Sequence, residues 1–214
     1  MTTPLVIVGV GGFGRETLDV VDAMNEASRP PVFRVLGVLD SAPSDVNLAR
    51  LRARGIPFLG SEDAWLRENS KVEYLIGVGS PIVRREIDTK FSAAGLSAAT
   101  AVHPSATIGS SVTLGAGTVV CAGVQISTNV TTGRHSHINP NATIGHDSIL
   151  GDFVSINPAA TISGDVLVGD RTLVGAGAVV LQGLTLGSDV LVGASACVVR
   201  DTDSGTTVKG IPAK

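Results

Sequence analysis

The chain has 214 residues, a formal net charge of −3 and an isoelectric point of about 5.8. This acidic balance argues against a nucleic-acid-binding protein, and no apolar run approaches the roughly 18 residues of a membrane-spanning helix. The first residues also lack the basic segment and cleavage site of a signal peptide. We therefore expect a soluble cytoplasmic protein that binds neither nucleic acid nor membrane.

The first predicted element is a strand over residues 4–9, an apolar run that ends in glycine. A glycine-rich turn and an amphipathic helix over residues 17–27 follow it, which is typical of a β–α unit whose helix start faces an anion. The spacing differs from the G-x-G-x-x-G of dinucleotide enzymes, and such a turn can also need glycine for its geometry alone. Our hypothesis is that this turn binds substrate, through Gly9, Gly11, Gly12, Phe13 and Gly14.

A second strand is predicted over residues 33–39, followed directly by Asp40. A carboxylate at the carboxyl end of this strand can accept hydrogen bonds from a ribose or a base, although an aspartate can equally start a turn. Residues 41–56 are polar and are predicted to be irregular. A short strand over residues 57–60 and a short helix capped by Ser61 come next.

The last elements of this region are an apolar strand over residues 74–79 and a helix over residues 81–94, with proline at its favoured first position. Gly79 ends the strand, and Arg84 lies near the helix start, where it can be a surface residue or can meet a phosphate group. Alternating strands and helices predict a small parallel, Rossmann-like α/β domain over residues 1–101. Its cleft should lie at the carboxyl ends of the strands.

From residue 108 to residue 198 an aliphatic residue returns at every sixth position, and only Thr132 among the sixteen positions departs from this pattern. The following residue is glycine at nine of the sixteen. A period of six fits neither a lone helix nor an ordinary sheet, but it fits a solenoid of short strands joined by tight turns. Because three hexads make an 18-residue triangular coil, residues 102–214 are predicted to form a parallel β-helix of about five coils.

This hexad pattern resembles the hexapeptide-repeat acyltransferases, and residues 210–214, Gly-Ile-Pro-Ala-Lys, resemble the ending common in that superfamily. With its α/β domain, the whole chain resembles the sialic-acid O-acetyltransferase-like group, which includes N-acetyltransferases of nucleotide-linked amino sugars. The resemblance implies a left-handed β-helix, a nucleotide-sugar in the N-terminal domain, and acyl-CoA bound between neighbouring subunits of a homotrimer. Two residues depart from the family pattern: Phe13 replaces a frequent histidine, and Asp147 replaces a frequent glutamate.

Acyl transfer from a thioester needs a base that removes a proton from the attacking amine or alcohol, and histidine suits this role at neutral pH. His146 precedes Asp147 in the turn after Ile144. It matches the catalytic histidine of the family, so we expect it to be the base, oriented by Asp147. Its alternative role is that of a solvent-facing turn residue. Asn139 matches a family position near the catalytic histidine and lies in register with Asn157, one coil further on.

The expected co-substrate is acetyl-CoA or another acyl-CoA, and no metal is expected. Small residues in neighbouring coils leave room for its thin pantetheine arm. Lysines near the C-terminus can meet its phosphates or can be ordinary solvated residues. In relatives, the position of Ser155 often carries a histidine near the cofactor. The residues assigned to the co-substrate are Ser155, Gly164, Gly175, Ala176, Gly193, Lys209 and Lys214.

These features predict an acyl-CoA-dependent acyltransferase, with acetyl as the expected group, that acts by direct transfer on an amine or hydroxyl of a nucleotide-linked sugar. His137, in the one irregular hexad, is assigned to the substrate. Cys121 and Cys197 occupy positions that favour small residues, so neither is expected to be a nucleophile. The alternatives are an acyltransferase with a non-nucleotide acceptor, a carbonic-anhydrase-like zinc protein that uses His135, His137 and His146, and a non-catalytic solenoid scaffold.

Overall fold

The computed structural model describes residues 2–67 and 72–214 of the chain. The chain forms two compact units, Met1–Pro104 and Ser105–Lys214. The division lies slightly beyond the boundary predicted between residues 101 and 102. Within the described residues, no helix is long and apolar enough to cross a membrane.

The first unit alternates strands and helices along the chain. Its elements are β1 (Thr3–Val8), α1 (Gly12–Ala27), β2 (Phe33–Leu39), α2 (Asp45–Ala53), α3 (Glu62–Leu66), β3 (Glu73–Ile76), α4 (Pro81–Ala93) and β4 (Ala101–Val102). The first three strands form a parallel sheet in the order β2-β1-β3. Because all three run in the same direction, their carboxyl ends meet at one edge of the sheet.

The core of the first unit explains the uninterrupted apolar run of β1. Val6 and Val8 are fully buried together with Phe91 of α4, and a central parallel strand is typically buried on both faces. Tyr74 of β3 packs on Phe91 with ring centroids 4.8 Å apart, and its hydroxyl donates to the Asp88 carboxylate at 2.5 Å. These contacts fix α4 against the sheet.

Three details of this unit differ from the sequence prediction. The segment predicted to be irregular contains α2, which Ser44 caps through its side chain. Only Leu51 of α2 is buried, so the helix has almost no apolar periodicity that could reveal it. Residues 57–60 contribute an isolated β-bridge rather than a strand, and α1 begins at Gly12 rather than at residue 17.

The second unit is a parallel β-helix built from two-residue strands joined by tight turns. The strands are β5 (Thr107–Ile108), β6 (Thr113–Leu114), β7 (Val119–Val120), β8 (Gln125–Ile126), β9 (Thr131–Thr132), β10 (His137–Ile138), β11 (Thr143–Ile144), β12 (Ile149–Leu150), β13 (Ser155–Ile156), β14 (Thr161–Ile162), β15 (Leu167–Val168), β16 (Leu173–Val174), β17 (Val179–Val180), β18 (Thr185–Leu186), β19 (Leu191–Val192), β20 (Cys197–Val198) and β21 (Thr207–Val208).

Three parallel sheets form the faces of this β-helix. The β10 face contains β7, β10, β13, β16, β19 and β21; the β11 face contains β5, β8, β11, β14, β17 and β20; the β12 face contains β6, β9, β12, β15 and β18. Up to β20, each strand pairs with the strand one coil further along, as His137 does with Ser155. The β11 face therefore has six strands, one more than the predicted number of coils.

Aliphatic residues at the hexad positions fill the interior of the β-helix. Ile138, Ile144 and Ile156 have no exposed surface, and burying such a side chain stabilises a fold by about 1.5–3 kcal/mol. The exceptional Thr132 is also buried, and its hydroxyl accepts a hydrogen bond from the Gly115 N–H at 3.2 Å. Threonine is tolerated at this position because the backbone of the preceding coil satisfies its hydroxyl group.

Many turns of the β-helix use the left-handed backbone region. Asn129, Asn141 and Asp147 have φ values of 59°, 59° and 61°, and asparagine and aspartate tolerate this conformation better than most residues. The last coil is shorter than the others, because Thr185 bonds to the Asp201 side chain across 16 residues rather than 18. The hexad pattern therefore stops after β20, although β21 still extends the β10 face.

Candidate active site

The turn between β11 and β12 carries His146 and Asp147 and holds the two side chains together. Nδ1 of His146 lies 2.6 Å from Oδ2 of Asp147. The imidazole is 61% exposed. Its Nε2 lies over Gly164 of the next coil, where a Cβ atom would come within 2.5 Å of that nitrogen. Glycine at position 164 therefore makes room for the imidazole ring, rather than for the co-substrate as the sequence predicted.

The carboxylate of Asp147 is held on its other side by Asn129, one coil earlier. Nδ2 of Asn129 donates to Oδ1 of Asp147 at 2.7 Å. Hydrogen bonds from Asn129 and from His146 hold the pKa of Asp147 below its usual range. Because an ionised carboxylate can only accept hydrogen bonds, Nδ1 of the neutral imidazole carries the proton, and Nε2 is left as the basic nitrogen.

Asn129 is a site residue that the sequence analysis missed. A signal for it was present, because the 18-residue spacing that places Gly164 next to His146 also places Asn129 next to Asp147. The spacing was applied to the following coil and not to the preceding one. Whether two stacked side chains also touch depends on their rotamers, which the spacing does not give.

A groove of about 450 Å³ opens beside His146 along the β11 face. Thr107, Gln125 and Thr143 line it from three successive strands, and Ser127 lines it from a turn. Hydroxyl and amide groups of this kind can hydrogen-bond a polar ligand. The basic nitrogen of the imidazole therefore borders a polar groove.

Asn139 lies at a different corner of the coil, after β10, and is buried. Its side-chain amide donates to the Ile156 carbonyl at 2.9 Å and to the Asn157 side chain at 3.4 Å, so the expected pairing of the two amides is present. Within residues 2–67 and 72–214, no hydrogen bond joins Asn139 to His146. The amide therefore does not hold the imidazole within one chain.

The small residues assigned to acyl-CoA include both exposed and buried positions. Ala176 is exposed, whereas Gly175 is buried, and a Cβ atom there would come within 2.6 Å of the Val192 carbonyl oxygen. Glycine at 175 is therefore needed for the coils to stack, so a large residue there would disturb the fold before it tested a ligand path. Gly193 is partly exposed and lies beside the Cβ atom of Lys209.

Lys209 and Lys214 are brought together at the C-terminus. The backbone N–H of each residue donates to the carbonyl of the other at 3.1 Å, and both residues are exposed. Two lysines on one exposed turn provide a positive potential that attracts phosphate groups.

Ser155 and His137 lie in register on β13 and β10, and they are only 2% and 1% exposed. They were expected to contact the co-substrate and the substrate. In this conformation neither side chain is accessible to a ligand from solvent. The sequence pattern gave their strand positions but not their burial.

In the first unit, a cleft of about 340 Å³ lies at the carboxyl ends of the strands, where the sequence predicted it. Gly9 and Asp40 line this cleft. Asp40 accepts the Val10 N–H at 2.9 Å through Oδ2 and the Ala42 N–H at 2.8 Å through Oδ1. The carboxylate therefore shapes the rim of the cleft, and its remaining acceptor capacity is available to a ligand.

Glu62 is a second carboxyl group in this cleft, and it is nearly buried. It accepts a hydrogen bond from the Ser41 hydroxyl. Burial raises the pKa of Glu62, and the negative charge of Asp40 adds to this increase. The sequence did not indicate Glu62 as a cleft residue, because the walls of the cleft come from elements far apart in the chain.

The glycines assigned to substrate binding serve two purposes. Around Gly11, Gly12 and Gly79, no atom of the described residues lies within 4 Å of where a Cβ atom would be, so these positions face open space. Gly14 is buried, and a Cβ atom there would collide with the carbonyl oxygen of Gly9. Gly14 therefore permits the close approach of α1 to β1 and does not face a ligand.

Arg84 is fully buried, which differs from the expected surface or phosphate-binding position. Its guanidinium donates to the carbonyl groups of Val78 and Gly79 at 2.9 Å and 3.2 Å. Burial lowers the pKa of Arg84 to about 9, so the side chain stays charged at neutral pH. It supports the loop after β3 instead of meeting a phosphate. Phe13, in the first turn of α1, is half-buried.

Among residues 2–67 and 72–214, no group of three or more His, Cys, Asp or Glu side chains is arranged to hold a metal ion. His135 and His137 are buried near β10, whereas His146 is exposed after β11. The three histidines of the zinc alternative therefore do not converge within one chain.

Comparison with known families gives a match in the first unit. Residues 4–91 match the family described as the PglD N-terminal domain. No curated protein sequence matches the chain.

Solved structures match both units together. A perosamine N-acetyltransferase from Caulobacter crescentus, solved with CoA and GDP-perosamine, is 32% identical, with 100% of this chain and 97% of that chain covered and a TM-score of 0.88. The acetyltransferase domain of PglB from Neisseria gonorrhoeae, solved with acetyl-CoA, is 30% identical, with coverage of 100% and 99% and a TM-score of 0.85. WeeI from Acinetobacter baumannii, at 23% identity, coverage of 100% and 99% and a TM-score of 0.85, supports the fold alone. These matches confirm a Rossmann-like α/β domain followed by a left-handed parallel β-helix.

Proposed function

The chain belongs to the hexapeptide-repeat nucleotide-sugar acetyltransferases, a group of CoA-dependent enzymes, and we propose that it transfers an acetyl group from acetyl-CoA to the amine of a nucleotide-linked amino sugar. The observation that carries this proposal is the His146–Asp147 pair, whose basic Nε2 borders a polar groove. The Caulobacter relative, an N-acetyltransferase solved with GDP-perosamine, supports an amine acceptor carried by a nucleotide.

His146 acts as the general base in this proposal. Nε2 accepts a proton from the acceptor amine as the amine nitrogen attacks the thioester carbonyl carbon. The carbon–sulfur bond then breaks, and the proton passes from the imidazolium to the departing CoA thiolate. The products are the N-acetylated sugar and free CoA. Asp147 stays ionised throughout and stabilises the imidazolium that forms.

The acetyl group passes directly from one substrate to the other in this scheme. Cys121 is buried and Cys197 lies on the last full coil, and both thiols are free. Neither cysteine lies in the groove beside His146. The chain therefore offers no thiol beside the base that could carry a covalent acetyl intermediate.

Separate parts of the chain support the two substrates. The cleft of the first unit takes the nucleotide, with Asp40 and the open-facing Gly12 at its edge. The exposed corner at Ala176 takes the thin pantetheine arm, because it presents little side-chain bulk. Lys209 and Lys214 meet the phosphates of CoA through their positive charges.

The same geometry favours a homotrimer. His146 follows a strand of the β11 face, whereas Ala176 follows a strand of the β10 face, so the base and the small-residue corner lie at different corners of one β-helix. A single acetyl-CoA molecule that meets both must lie between two chains, and closed threefold symmetry repeats this contact three times. The trimer and a cytoplasmic location stay predictions, and light scattering tests the first of them.

Replacement of the base tests the proposed chemistry. Release of CoA is followed with acetyl-CoA and GDP-perosamine, and then with other nucleotide-linked amino sugars. His146→Ala should reduce kcat by about 10²–10⁴-fold, because general base catalysis is lost, while the affinity for acetyl-CoA should change little.

His103→Ala is the matched control, because His103 lies outside the site, and it should keep normal turnover. Near-normal turnover of His146→Ala would show that another residue is the base. Failure of every nucleotide-linked amino sugar to release CoA with the unmodified protein would contradict the acceptor class.

A further inference from the structure

The carboxylate of Asp147 connects three residues on two coils. Its Oδ2 lies 2.6 Å from Nδ1 of His146, and its Oδ1 accepts a hydrogen bond from Nδ2 of Asn129 at 2.7 Å. Each carboxylate oxygen thus has one side-chain partner, and the two partners lie on opposite sides of the group. The arrangement is a linear relay from an amide, through a carboxylate, to an imidazole.

Asp147 needs such support because its side chain is short and exposed. It is 48% exposed, so water competes for its oxygens, and the side chain can turn away from the imidazole by rotation about its first torsion angle. A hydrogen bond to Oδ1 restricts that rotation while Oδ2 stays available to His146. A charge-assisted hydrogen bond of this kind is stronger than one between neutral groups.

The backbone fixes Asn129 in the position from which it can act. Its N–H donates to the Ser110 carbonyl at 2.9 Å, and the N–H of Asp147 donates to the Thr128 carbonyl at 3.1 Å. These bonds hold the two turns one above the other. Asn129 has a φ of 59°, a left-handed conformation that asparagine tolerates.

We propose that Asn129 is a positioning residue of this enzyme, which holds the Asp147 carboxylate so that it accepts the Nδ1 proton of His146 and leaves Nε2 free to act as the base. This inference rests on the proposed function of His146. It extends the catalytic pair by a residue of the preceding coil.

A purely structural role is the competing explanation, because other turns are also bridged from coil to coil. Arg171 makes two hydrogen bonds of 2.7 Å to the Asp189 carboxylate, and the Ser110 and Thr128 hydroxyls lie 2.8 Å apart. The Asn129 bridge differs from these because its acceptor is the carboxylate that also contacts His146.

The chain provides a matched control in Asn141. It is exposed like Asn129, it has the same φ of 59°, and it occupies the equivalent position three residues after a hexad position. Glycine accepts this φ without strain. Asn129→Gly and Asn141→Gly therefore each remove one amide at equal conformational cost, and only the first removes the partner of Asp147.

The decisive measurement is the tautomer of His146, which needs no acceptor. Nitrogen NMR spectra of histidine-labelled full-length protein are recorded at about pH 9, where imidazole is neutral. The signal of His146 is the one lost in His146→Ala. The unmodified protein and Asn141→Gly should carry the proton on Nδ1, because Asp147 accepts it. In Asn129→Gly a large fraction should shift to the Nε2–H tautomer, because the carboxylate is no longer held.

The charged residues near this imidazole are Asp147 in its own turn and Asp165 on the next coil, whose N–H donates to the His146 carbonyl at 2.7 Å. Asp147→Asn, which removes the acceptor itself, gives the upper limit of the tautomer change. Asp165→Asn, which removes the other charge, should leave the tautomer as it is. An Asn129→Gly protein with the tautomer of the unmodified enzyme would overturn the inference.

A kinetic measurement separates this inference from the proposed function. With an acceptor that releases CoA, Asn129→Gly should lower kcat about threefold to tenfold with an unchanged KM for acetyl-CoA, whereas Asn141→Gly should leave both constants unchanged. If His146→Ala is inactive and Asn129→Gly has normal kcat, only the role of Asn129 is lost. If His146→Ala keeps its activity, the proposed base is lost, while the tautomer experiment still reports whether Asn129 orients the ring.

Discussion

Glycine lies beside the functional surfaces of both units, but for different reasons. In the first unit, Gly14 lacks a Cβ because the backbone of Gly9 fills that space, whereas Gly12 in the same turn faces open space. In the β-helix, the space next to Gly164 is filled by the imidazole of His146. One glycine thus sets the packing of a helix, and another sets the position of a candidate base.

The difference follows from how each unit brings residues together. In the β-helix, every turn stacks on the turn 18 residues away, so the sequence itself names the neighbour of a glycine. In the α/β unit, the neighbours of a glycine come from other strands and helices. A glycine-rich turn there mixes residues needed for folding with residues open to a ligand, and the sequence does not separate them.

The largest expected effect is that of Gly14→Ala. The new Cβ would collide with the Gly9 carbonyl oxygen, and because backbone atoms cannot turn away as a side chain can, we expect a loss of unfolding free energy of about 3 kcal/mol or more. Gly12→Ala should change stability by no more than about 1 kcal/mol, because nothing occupies that space. Urea unfolding of both variants measures the contrast. Equal stability of the two variants would remove the distinction between packing and open glycines.

A smaller effect is expected for Gly164→Ala, which places a Cβ within 2.5 Å of Nε2 of His146. The backbone at this position allows alanine, so the fold should persist while the imidazole is displaced. We expect kcat to fall about 10- to 100-fold, equivalent to about 1.4–2.7 kcal/mol.

The control for Gly164→Ala is the same substitution in the His146→Ala protein. Once the imidazole is absent, Gly164→Ala should cause no further loss of turnover. A further loss of similar size, with a raised KM for acetyl-CoA, would instead support the role predicted from the sequence, in which Gly164 makes room for the co-substrate.

The smallest effect concerns Glu62, whose pKa is raised in the folded protein mainly by burial. Below the usual pKa of about 4.5 the carboxyl is protonated in both the folded and the unfolded chain, so it costs nothing. Above the raised folded pKa it is ionised in both, and its desolvation destabilises the fold. Glu62→Gln should therefore raise the melting temperature by a few degrees at pH 7 and by nothing near pH 4.

Thermal unfolding at the two pH values tests this prediction, and Asp63→Asn is the matched control. Asp63 is an exposed acid of the same helix, paired with Lys90 at 3.0 Å, so its removal should not stabilise the protein at pH 7. An equal gain for Glu62→Gln at both pH values would show that burial of the charge is not the cause. The cleft would then resemble the β-helix turns, whose charged groups stay exposed.

Most of the β-helix and its site could be predicted from the sequence. The period of six gave the inward residues, the pairing of strands, and the stacking of Asn139 with Asn157 and of His146 with Gly164. What it missed depends on side-chain direction. Asn129 was overlooked, and the stacked amides proved to lie at a different corner from His146.

The α/β unit was predicted in outline only. The alternation of apolar strands and glycine turns gave the parallel sheet and the edge at which its cleft lies. Helix α2 was missed because only Leu51 of it is buried. Arg84 was misplaced because nothing in the local sequence shows that the loop after β3 needs its buried hydrogen bonds.

The sequence by itself determined the features that repeat. An 18-residue coil sets backbone register by counting, so the sequence fixed which residues stack without any knowledge of distant contacts. Only the tertiary structure decided features that depend on rotamers and on packing between separate elements. These include the Asn129–Asp147–His146 relay, the burial of Gly175, Ser155 and His137, and the raised pKa of Glu62. The physical reason is that backbone hydrogen bonding is periodic along this chain, whereas side-chain contact and desolvation depend on atoms that no local pattern specifies.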